Sequence, residues 1–256
     1  MLLSRIDLYP IKSLDGVSVA EACISGGGTL ENDRIYAIVD DTGAYVNGKR
    51  TGQIHLLRTT FSDSYQEASF WVKGDDRKQD FVLTEPGRLN RWLSDFFGFG
   101  VKLIFAPRNG FSDDRVASGP TIASEASLQE VAHWFPELNL ESVRRRFRTN
   151  LELGGVDPFW EDHLFGPANE LKPFRIGNIT LFGHNPCQRC VVPSRDPESA
   201  QSVPGFQRTF MALRKKRLPP WANEERFNHF YRFAVNTSLP PSEQGKYLRV
   251  GDTICL

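Results

Sequence analysis

Two cysteines separated by two residues are the clearest candidates for chemistry in the sequence, within Cys187-Gln188-Arg189-Cys190. This spacing occurs in structural zinc sites, in dithiol redox pairs and around a single thiolate that binds a soft metal. Zinc requires four ligands; His184 supplies a third donor, but the sequence has no second Cys-x-x-Cys. A redox pair is expected at a helix N-terminus, whereas Val-Val-Pro follows here and indicates extended chain. Two buried, unreactive thiols are an equally good alternative from the spacing alone.

Cationic side chains near predicted strand ends suggest a site for an anion or for the polar edge of a ring. Arg189, between the cysteines, would favour a negatively charged neighbour. The run from Arg144 to Asn150 (RRRFRTN) is predicted to enter a strand, so Arg146, Arg148 and Asn150 would share one face. A solvated basic edge is the alternative interpretation of this run.

Two shorter motifs also place polar or cationic side chains beside predicted strands. Lys12-Ser13 follows Tyr-Pro-Ile at the end of the first predicted strand, and Asp33-Arg34 opens a later strand. A lysine and a hydroxyl at a strand-to-loop transition suit a phosphate or a polar ring, although each motif is weak by itself. A second basic run, Arg214–Arg217, is predicted to be a solvated face.

Short strands separated by turn residues dominate the first hundred positions, which predicts a barrel or sandwich. Residues 87–97 have apolar positions at helical spacing. Another helix is predicted after Ser124 or Ser127, either of which could cap it. The polar stretch between residues 103 and 120 is the best candidate boundary, which gives domains of residues 1–103 and 104–256.

Composition narrows the class of protein. The 256 residues include 31 basic and 31 acidic side chains, so net charge gives no reason to expect nucleic acid or an anionic membrane as a partner. No apolar stretch approaches the roughly 18 residues that cross a bilayer, and the N-terminus lacks a signal-peptide pattern. Four cysteines are too few for a disulfide scaffold. These features predict a cytoplasmic protein without a membrane span or a nucleic-acid partner.

Taken in order, the separate motifs form a known pattern. Their order resembles that of the MOSC proteins that have a fused N-terminal β-barrel. The motifs are, in order, YPIKSLDG, DRIYAIVD, SEASL, FRTN followed by Glu161-Asp162, the Cys187–Cys190 motif followed by Asp-Pro, and a terminal VGD. The resemblance is to the group that contains the mitochondrial amidoxime reducing component and its bacterial relatives, and it covers nearly the whole chain. It implies a mainly β (α+β) fold with few helices, in which a MOSC β-barrel packs against an N-terminal β-barrel-like domain.

This resemblance implies a molybdenum cofactor, molybdopterin with its metal, in the cleft between the two domains. In the family the second cysteine of a C-x-R-C motif binds the metal. That position is Cys190, and a soft thiolate suits a metal already held by dithiolene sulfur. The positions that match the family's other cofactor contacts are Lys12, Ser13, Arg34, Arg148, Asn150, Gln188 and Arg189. Ser124 and Ser127 lie in a segment that lines the same site in the family.

The implied activity is a molybdenum-dependent, two-electron reduction of small N-oxygenated compounds. The sequence contains no cysteine-rich ferredoxin segment and no Gly-x-Gly-x-x-Gly after a strand, so electrons are expected from a separate partner protein. One alternative is a protein without redox turnover that carries the cofactor or a persulfide sulfur on Cys190. Another is a structural zinc protein that uses His184, Cys187 and Cys190.

Two segments depart from the family pattern. The family's D-P-x-T-G after the cysteine motif is replaced by Asp196-Pro197-Glu198-Ser199-Ala200, and the loss of the glycine leaves the shape of that turn an open question. Residues 201–235 are aromatic and basic, and the resemblance assigns them no role.

Overall fold

Strands dominate the regular structure in the computed structural model, which describes residues 1–75, 77–114 and 116–256. Asp76 and Arg115, both in predicted polar loops, lie outside the described residues. The strands are β1 (Leu2–Leu8), β2 (Val17–Val19), β3 (Glu21–Cys23), β4 (Tyr36–Asp40), β5 (Leu57–Phe61), β6 (Glu67–Val72), β7 (Gln79–Val82), β8 (Val101–Phe105), β9 (Ile122–Ser124), β10 (Leu151–Gly154), β11 (Lys172–Ile176), β12 (Ile179–Gln188), β13 (Arg232–Ser238), β14 (Tyr247–Arg249) and β15 (Ile254–Cys255). The α-helices are α1 (Gly87–Phe97), α2 (Glu125–His133), α3 (Leu140–Phe147) and α4 (Phe206–Lys216). The predicted mainly β class with few helices is confirmed.

Eight strands form one sheet in the order β15-β11-β12-β13-β9-β10-β1-β2. Neighbouring strands are antiparallel except β9 and β10, which run parallel. A bridge between Leu2 and Thr253 connects β1 to the chain just before β15, but within the described residues the hydrogen-bonded ladders do not close into a barrel. The smaller sheets pair β14 with β3, β4 with β8, and β6 with both β5 and β7.

The core of the large sheet combines both ends of the chain. Leu3 and Ile6 of β1 are fully buried in the same cluster as Leu151 of β10 and Val235 of β13. A second core, formed mostly by β4 to β8 and α1, lies in the N-terminal half. Because β1 and β2 pair in the sheet of the C-terminal half, the first twenty residues connect the two cores. The predicted boundary between residues 103 and 104 stays a prediction.

Two local predictions about helices are confirmed. The helix expected at residues 87–97 is α1, which ends at Gly98 with a φ of 77°, a left-handed conformation that glycine adopts without strain. Ser124 caps α2, because its Oγ accepts a hydrogen bond from the Ser127 N–H at 3.0 Å.

None of the helices in the described part of the chain is both long and apolar enough to cross a membrane.

The basic run before Asn150 is a helix, so its prediction as a strand was wrong. Asn139 caps α3 by accepting from the Ser142 N–H at 2.8 Å, and Val143 and Phe147 are buried one turn apart. Arg148 then ends the helix in a left-handed conformation, and β10 begins only at Leu151. The three-residue face expected from strand alternation therefore does not exist.

Arg146, in the middle of that run, has a structural role. It is 2% exposed, and its guanidinium donates to the Arg195 carbonyl at 2.6 Å and to Asp196 Oδ2 at 2.9 Å. This side chain therefore holds the segment that follows the cysteine motif against α3.

The second basic run also differs from its prediction as a solvated face. Arg214 is buried on α4 and forms an ion pair with buried Asp162 at 2.5 Å, whereas the next three residues are exposed. Phe206 and Phe210 of the same helix are buried in an aromatic cluster with Phe147 of α3. The segment of residues 201–235 thus supports α3, the helix that ends at Arg148.

Candidate functional site

One cleft of about 910 Å³ brings together residues that are far apart in the sequence. Its walls come from the loop after β1, the turn before β4, the end of α3 and the end of β12. Eight of the ten predicted site residues line it: Lys12, Ser13, Arg34, Arg148, Asn150, Gln188, Arg189 and Cys190. The fold therefore assembles separate motifs into one cavity.

The other two predicted site residues, Ser124 and Ser127, do not line the cleft. Both are fully buried, with their hydroxyl oxygens 2.7 Å apart. Ser127 Oγ also donates to Glu161 Oε2 at 2.9 Å and accepts from the Phe159 N–H at 2.6 Å. In this structure the two hydroxyls hold the start of α2 and the short 3-10 turn Trp160–Leu164 together in the protein interior.

Two arginines flank the ring of Tyr9 in the cleft. The guanidinium carbon of Arg148 lies 4.1 Å from the ring centroid and that of Arg34 lies 5.3 Å from it. Both arginines have left-handed backbone, with φ values of 51° and 52°, which costs energy for a residue with a Cβ. Tyr9 is held by a hydrogen bond from its hydroxyl to the Thr149 carbonyl at 3.2 Å. The ring therefore fixes two cations side by side.

The two arginines differ in their charge partners. Arg34 forms an ion pair with Asp33 and donates to Asn150 Oδ1 at 3.3 Å. Arg148 donates to the Leu14 carbonyl at 2.5 Å, and within the described residues it is in no ion pair. Burial lowers the pKa of Arg148, yet a guanidinium stays charged at neutral pH. Arg148 is therefore a cation whose charge is not matched by a carboxylate of the described chain.

Lys12 faces the cleft from the loop after β1. Its Nζ donates to the Phe111 carbonyl at 2.8 Å and to Asp113 Oδ1 at 2.6 Å. Burial lowers the pKa of Lys12 although Asp113 opposes this shift. Ser13, the next residue, has a left-handed φ of 72°, so the Lys-Ser motif forms a sharp turn at the rim.

The Cys187–Cys190 motif begins at the end of β12 and is connected to α3 by Arg189. The Arg189 N–H donates to the Tyr231 carbonyl at 3.0 Å. Its guanidinium donates to the carbonyl of Phe147, the last residue of α3, and to Cys187 Sγ at 3.3 Å. Both cysteines are partly exposed and line the cleft. Cys187 thus has a cationic partner, whereas Cys190 Sγ is in no hydrogen bond of the described structure.

The lining of the cleft is cationic although the chain is neutral. Its described residues include eleven Arg or Lys side chains and six Asp or Glu side chains. The formal net charge of the whole chain is zero. A concave site lined by an excess of one charge attracts ligands of the opposite charge. The arrangement therefore fits an anionic ligand.

His55 is a cleft residue that sequence reasoning missed. It lies in a 3-10 turn, Gly52–Leu56, within a segment that has no recognisable motif. Burial and the surrounding arginines lower the pKa of His55 to about 4, so its imidazole is neutral at pH 7. Its Nε2 is buried without a hydrogen-bond partner in the described structure. Tyr9 was also missed, although its place inside YPIKS was a signal.

The zinc alternative lacks an assembled ligand set. His184 Nε2 lies 2.7 Å from Ser238 Oγ, which gives the ring a hydrogen-bond partner on the neighbouring strand. Among the described residues, no group of three or more His, Cys, Asp or Glu side chains is placed to bind a metal ion. A single thiolate that binds a metal already held by another group requires no such cluster.

Comparisons with known proteins identify two family domains in the chain. The family model for the MOSC N-terminal beta barrel domain matches residues 1–79, and that for the MOSC domain matches residues 114–255. The chain is 24% identical over 238 residues to mitochondrial amidoxime reducing component 2 of Rattus norvegicus, which covers 77% of this chain and 67% of the relative. It is also similar to two molybdenum cofactor sulfurases. The Caenorhabditis elegans protein is 21% identical over 269 residues, covering 96% of this chain and 34% of the relative. The Danio rerio protein is 22% identical over 245 residues, covering 77% of this chain and 28% of the relative.

Proposed function

The chain belongs to the MOSC domain family, and on this premise we propose that it binds a molybdenum–pterin cofactor in the cleft and acts as an oxidoreductase. The proposed reaction is the two-electron, two-proton reduction of small N-oxygenated compounds. The name of the Rattus norvegicus relative describes a component that reduces amidoximes, which are compounds of this class. Electrons would come from a separate protein.

The observation that supports the proposal most strongly is the position of Cys190 in a cationic cleft. A thiolate is a soft ligand that suits molybdenum bound to dithiolene sulfur. The excess of Arg and Lys in the lining suits the phosphate of a pterin cofactor, because guanidinium groups bind phosphate strongly. Arg148 provides a charge that the described chain leaves unmatched. The donor set therefore fits the proposed group.

The predicted contacts would have different roles in this proposal. Arg148, Arg34 and Lys12 would bind the phosphate or the polar edge of the pterin, and Cys190 would bind the metal. Asn150 is 1% exposed; its Nδ2 donates to a carbonyl of β1 at 3.1 Å, and its Oδ1 accepts from Arg34. Asn150 would therefore position Arg34 rather than contact the ligand with its whole amide.

A molybdenum–pterin group supplies two-electron redox chemistry when bound, and the chain supplies binding, orientation and electrostatics. The cleft cations would stabilise negative charge on a substrate or ligand. The imidazole of His55, which is neutral at pH 7, lies in the lining and adds no charge there.

Metal analysis and a reductant series test the proposal. Protein purified from a host that makes the cofactor should contain stoichiometric molybdenum and release pterin on denaturation. A model N-hydroxy substrate is then assayed with a chemical reductant, with NADH alone, and with NADH plus a reductase. We expect turnover with the chemical reductant and none with NADH alone, because the sequence has no familiar nucleotide-binding motif. Robust turnover with NADH and no second protein would contradict the need for a partner.

Transfer of sulfur or of the cofactor is the second candidate function. Two of the relatives are molybdenum cofactor sulfurases, and Arg189 donates to Cys187 Sγ. A guanidinium at that position would stabilise a negatively charged persulfide. Molybdenum without turnover under any reductant, together with sulfane sulfur on the protein, would favour this role over reduction.

A further inference from the structure

The segment after the cysteine motif, residues 191–200, forms one wall of the cleft. It contains a short 3-10 turn, and a bridge between Arg195 and Ser202 closes its second part into a hairpin. The side of the segment that lines the cleft comprises Val192, Pro193 and Pro197. Because Cys190 directly precedes it, this wall adjoins the cysteine end of the cavity.

Glu198, at the tip of the hairpin, is bound by three cations from three other elements. Its Oε1 pairs with Arg145 of α3, and its Oε2 pairs with Lys73, which follows β6, and with Arg58 of β5 at 3.3 Å. The cations also bind the backbone of the tip. Arg58 Nη2 donates to the Pro197 carbonyl at 2.9 Å, and Lys73 Nζ donates to the Glu198 carbonyl at 3.0 Å. Two of the three cations belong to the N-terminal half, so the tip spans the two halves of the molecule.

The base of the hairpin is attached in a different way. Arg146, whose side chain is 1% exposed, binds the Arg195 carbonyl and the Asp196 carboxylate, and the side chain of Asp196 is 31% exposed. At the tip, the side chain of Glu198 is 45% exposed, and those of its partners Lys73, Arg145 and Arg58 are 40%, 30% and 12% exposed, so this attachment is on average more open to water than the base. Ion pairs with this exposure are individually weak and are screened by salt. The tip is therefore the attachment that can release while the base stays in place.

We propose that residues 191–200 are a lid at the Cys187–Cys190 end of the cleft, and that Glu198 is the latch that holds the lid closed. Opening at the tip would widen access to the two cysteines for a substrate or partner. Glu198 acts through the position of the lid, so it is a positioning residue. The lid does not depend on molybdenum binding, and its test can succeed or fail independently of the proposed function.

Thiol labelling measures the opening directly. The rate at which N-ethylmaleimide modifies Cys187 and Cys190 is followed by peptide mass spectrometry, with exposed Cys255 as the internal reference. Glu198→Gln removes the charge and keeps the shape of the side chain. Labelling of the two cleft cysteines should accelerate roughly three- to tenfold, the range expected for loss of a partly exposed ion-pair network, and Cys255 should not change. Glu85→Gln, at an exposed position that forms no ion pair in the described structure, is the matched control.

Salt dependence separates a latch from a merely structural role. Raising NaCl from about 0.05 M to about 0.5 M should accelerate labelling of the wild type, because salt screens the pairs, and should leave Glu198→Gln nearly unchanged. If salt acted only by screening Arg189, a thiolate would be less stable and labelling would slow, which is the opposite of the acceleration expected for a latch. Lys73→Met should show part of the acceleration, and combining it with Glu198→Gln should add little.

Two outcomes would overturn the proposal. One is an unchanged labelling rate of Cys187 and Cys190 in Glu198→Gln and in Lys73→Met. The other is equal acceleration at Cys255 together with a lower unfolding temperature, because that pattern indicates general loosening of the fold. If Glu198→Gln fails to fold, Lys73→Met and the salt series on the wild type test whether these ion pairs hold the lid closed.

Discussion

Removal of the Arg148 side chain should abolish binding of the proposed cofactor without unfolding the protein. Arg148→Gly is the suitable change, because the φ of 51° is strained for a residue with a Cβ and relaxed for glycine. The strain relieved is worth about 1–2 kcal/mol, whereas the lost contact with the Tyr9 ring is worth about 0.5–2 kcal/mol and the lost hydrogen bond to the Leu14 carbonyl about 1.5 kcal/mol, so the net loss of stability stays within about 2 kcal/mol. Arg148 is half-buried, so loss of this cation should cost binding toward the lower end of the about 2–5 kcal/mol found for buried charge pairs, which lowers affinity by at least roughly 30-fold.

Pterin and molybdenum content per chain, measured after denaturation, report this loss, and thermal unfolding reports stability. We expect Arg148→Gly to be depleted in both while its unfolding midpoint stays within about 5 °C of the wild type. Arg91→Gln, at an exposed position on α1, is the control and should keep wild-type content. Wild-type pterin content in Arg148→Gly would refute the assignment of this cation to the cofactor. Equal depletion in Arg91→Gln would show that the loss has another origin.

Three further predictions test individual residues. Cys190→Ser should lose molybdenum and activity with the fold intact, as measured by metal analysis. Loss of molybdenum from Cys187→Ser instead would show that Cys187 is the ligand. Burial raises the pKa of Glu161 to about 7, so its protonated form stabilises the fold at acid pH and this contribution is lost as pH rises from about 4.5 through about 7. Glu161→Gln should flatten that part of the pH dependence of the free energy of unfolding, measured in urea, and an unchanged slope would contradict the assignment. Ala200 has a left-handed φ of 62°, so Ala200→Gly should raise the free energy of unfolding by about 1 kcal/mol. A lower free energy of unfolding in the variant, measured by urea titration, would show that the turn is not strained.

Local patterns predicted those elements whose determinants lie within one or two turns of chain. The α1 helix follows from apolar spacing, and the start of α2 was predicted at Ser124 or Ser127, of which the structure has Ser124 as the cap. The basic run before Asn150 was assigned to a strand because it was taken as continuous with the strand that follows, which begins only at Leu151. The Asn139 cap was the local signal that favoured α3, and the strand prediction did not use it.

Contacts between distant positions were not predictable from such patterns. Arg214 was expected in solvent because its partner, Asp162, is 52 positions away in the sequence. Ala200, where the resemblance implies a glycine, has a left-handed φ of 62°, and Asp196 Oδ1 accepts from the Glu198 and Ser199 N–H groups of the same hairpin. The turn therefore has a backbone conformation that glycine adopts without strain, although an alanine stands there.

The sequence by itself determined the family and most of the chemistry of the cleft. The resemblance predicted a thiol, several guanidinium groups and a lysine as cofactor contacts, and residue type alone sets their ligand preferences. Only the tertiary structure decided which of them meet. Arg34 and Arg148 flank Tyr9 because β1 pairs with β10, and that pairing depends on the burial of apolar side chains more than a hundred residues apart. The same packing buried Ser124 and Ser127 away from the cleft, brought in His55, and placed Glu198 among three cations. Spacing along the chain contains no information about these distances, because they are set by the packing of the whole core.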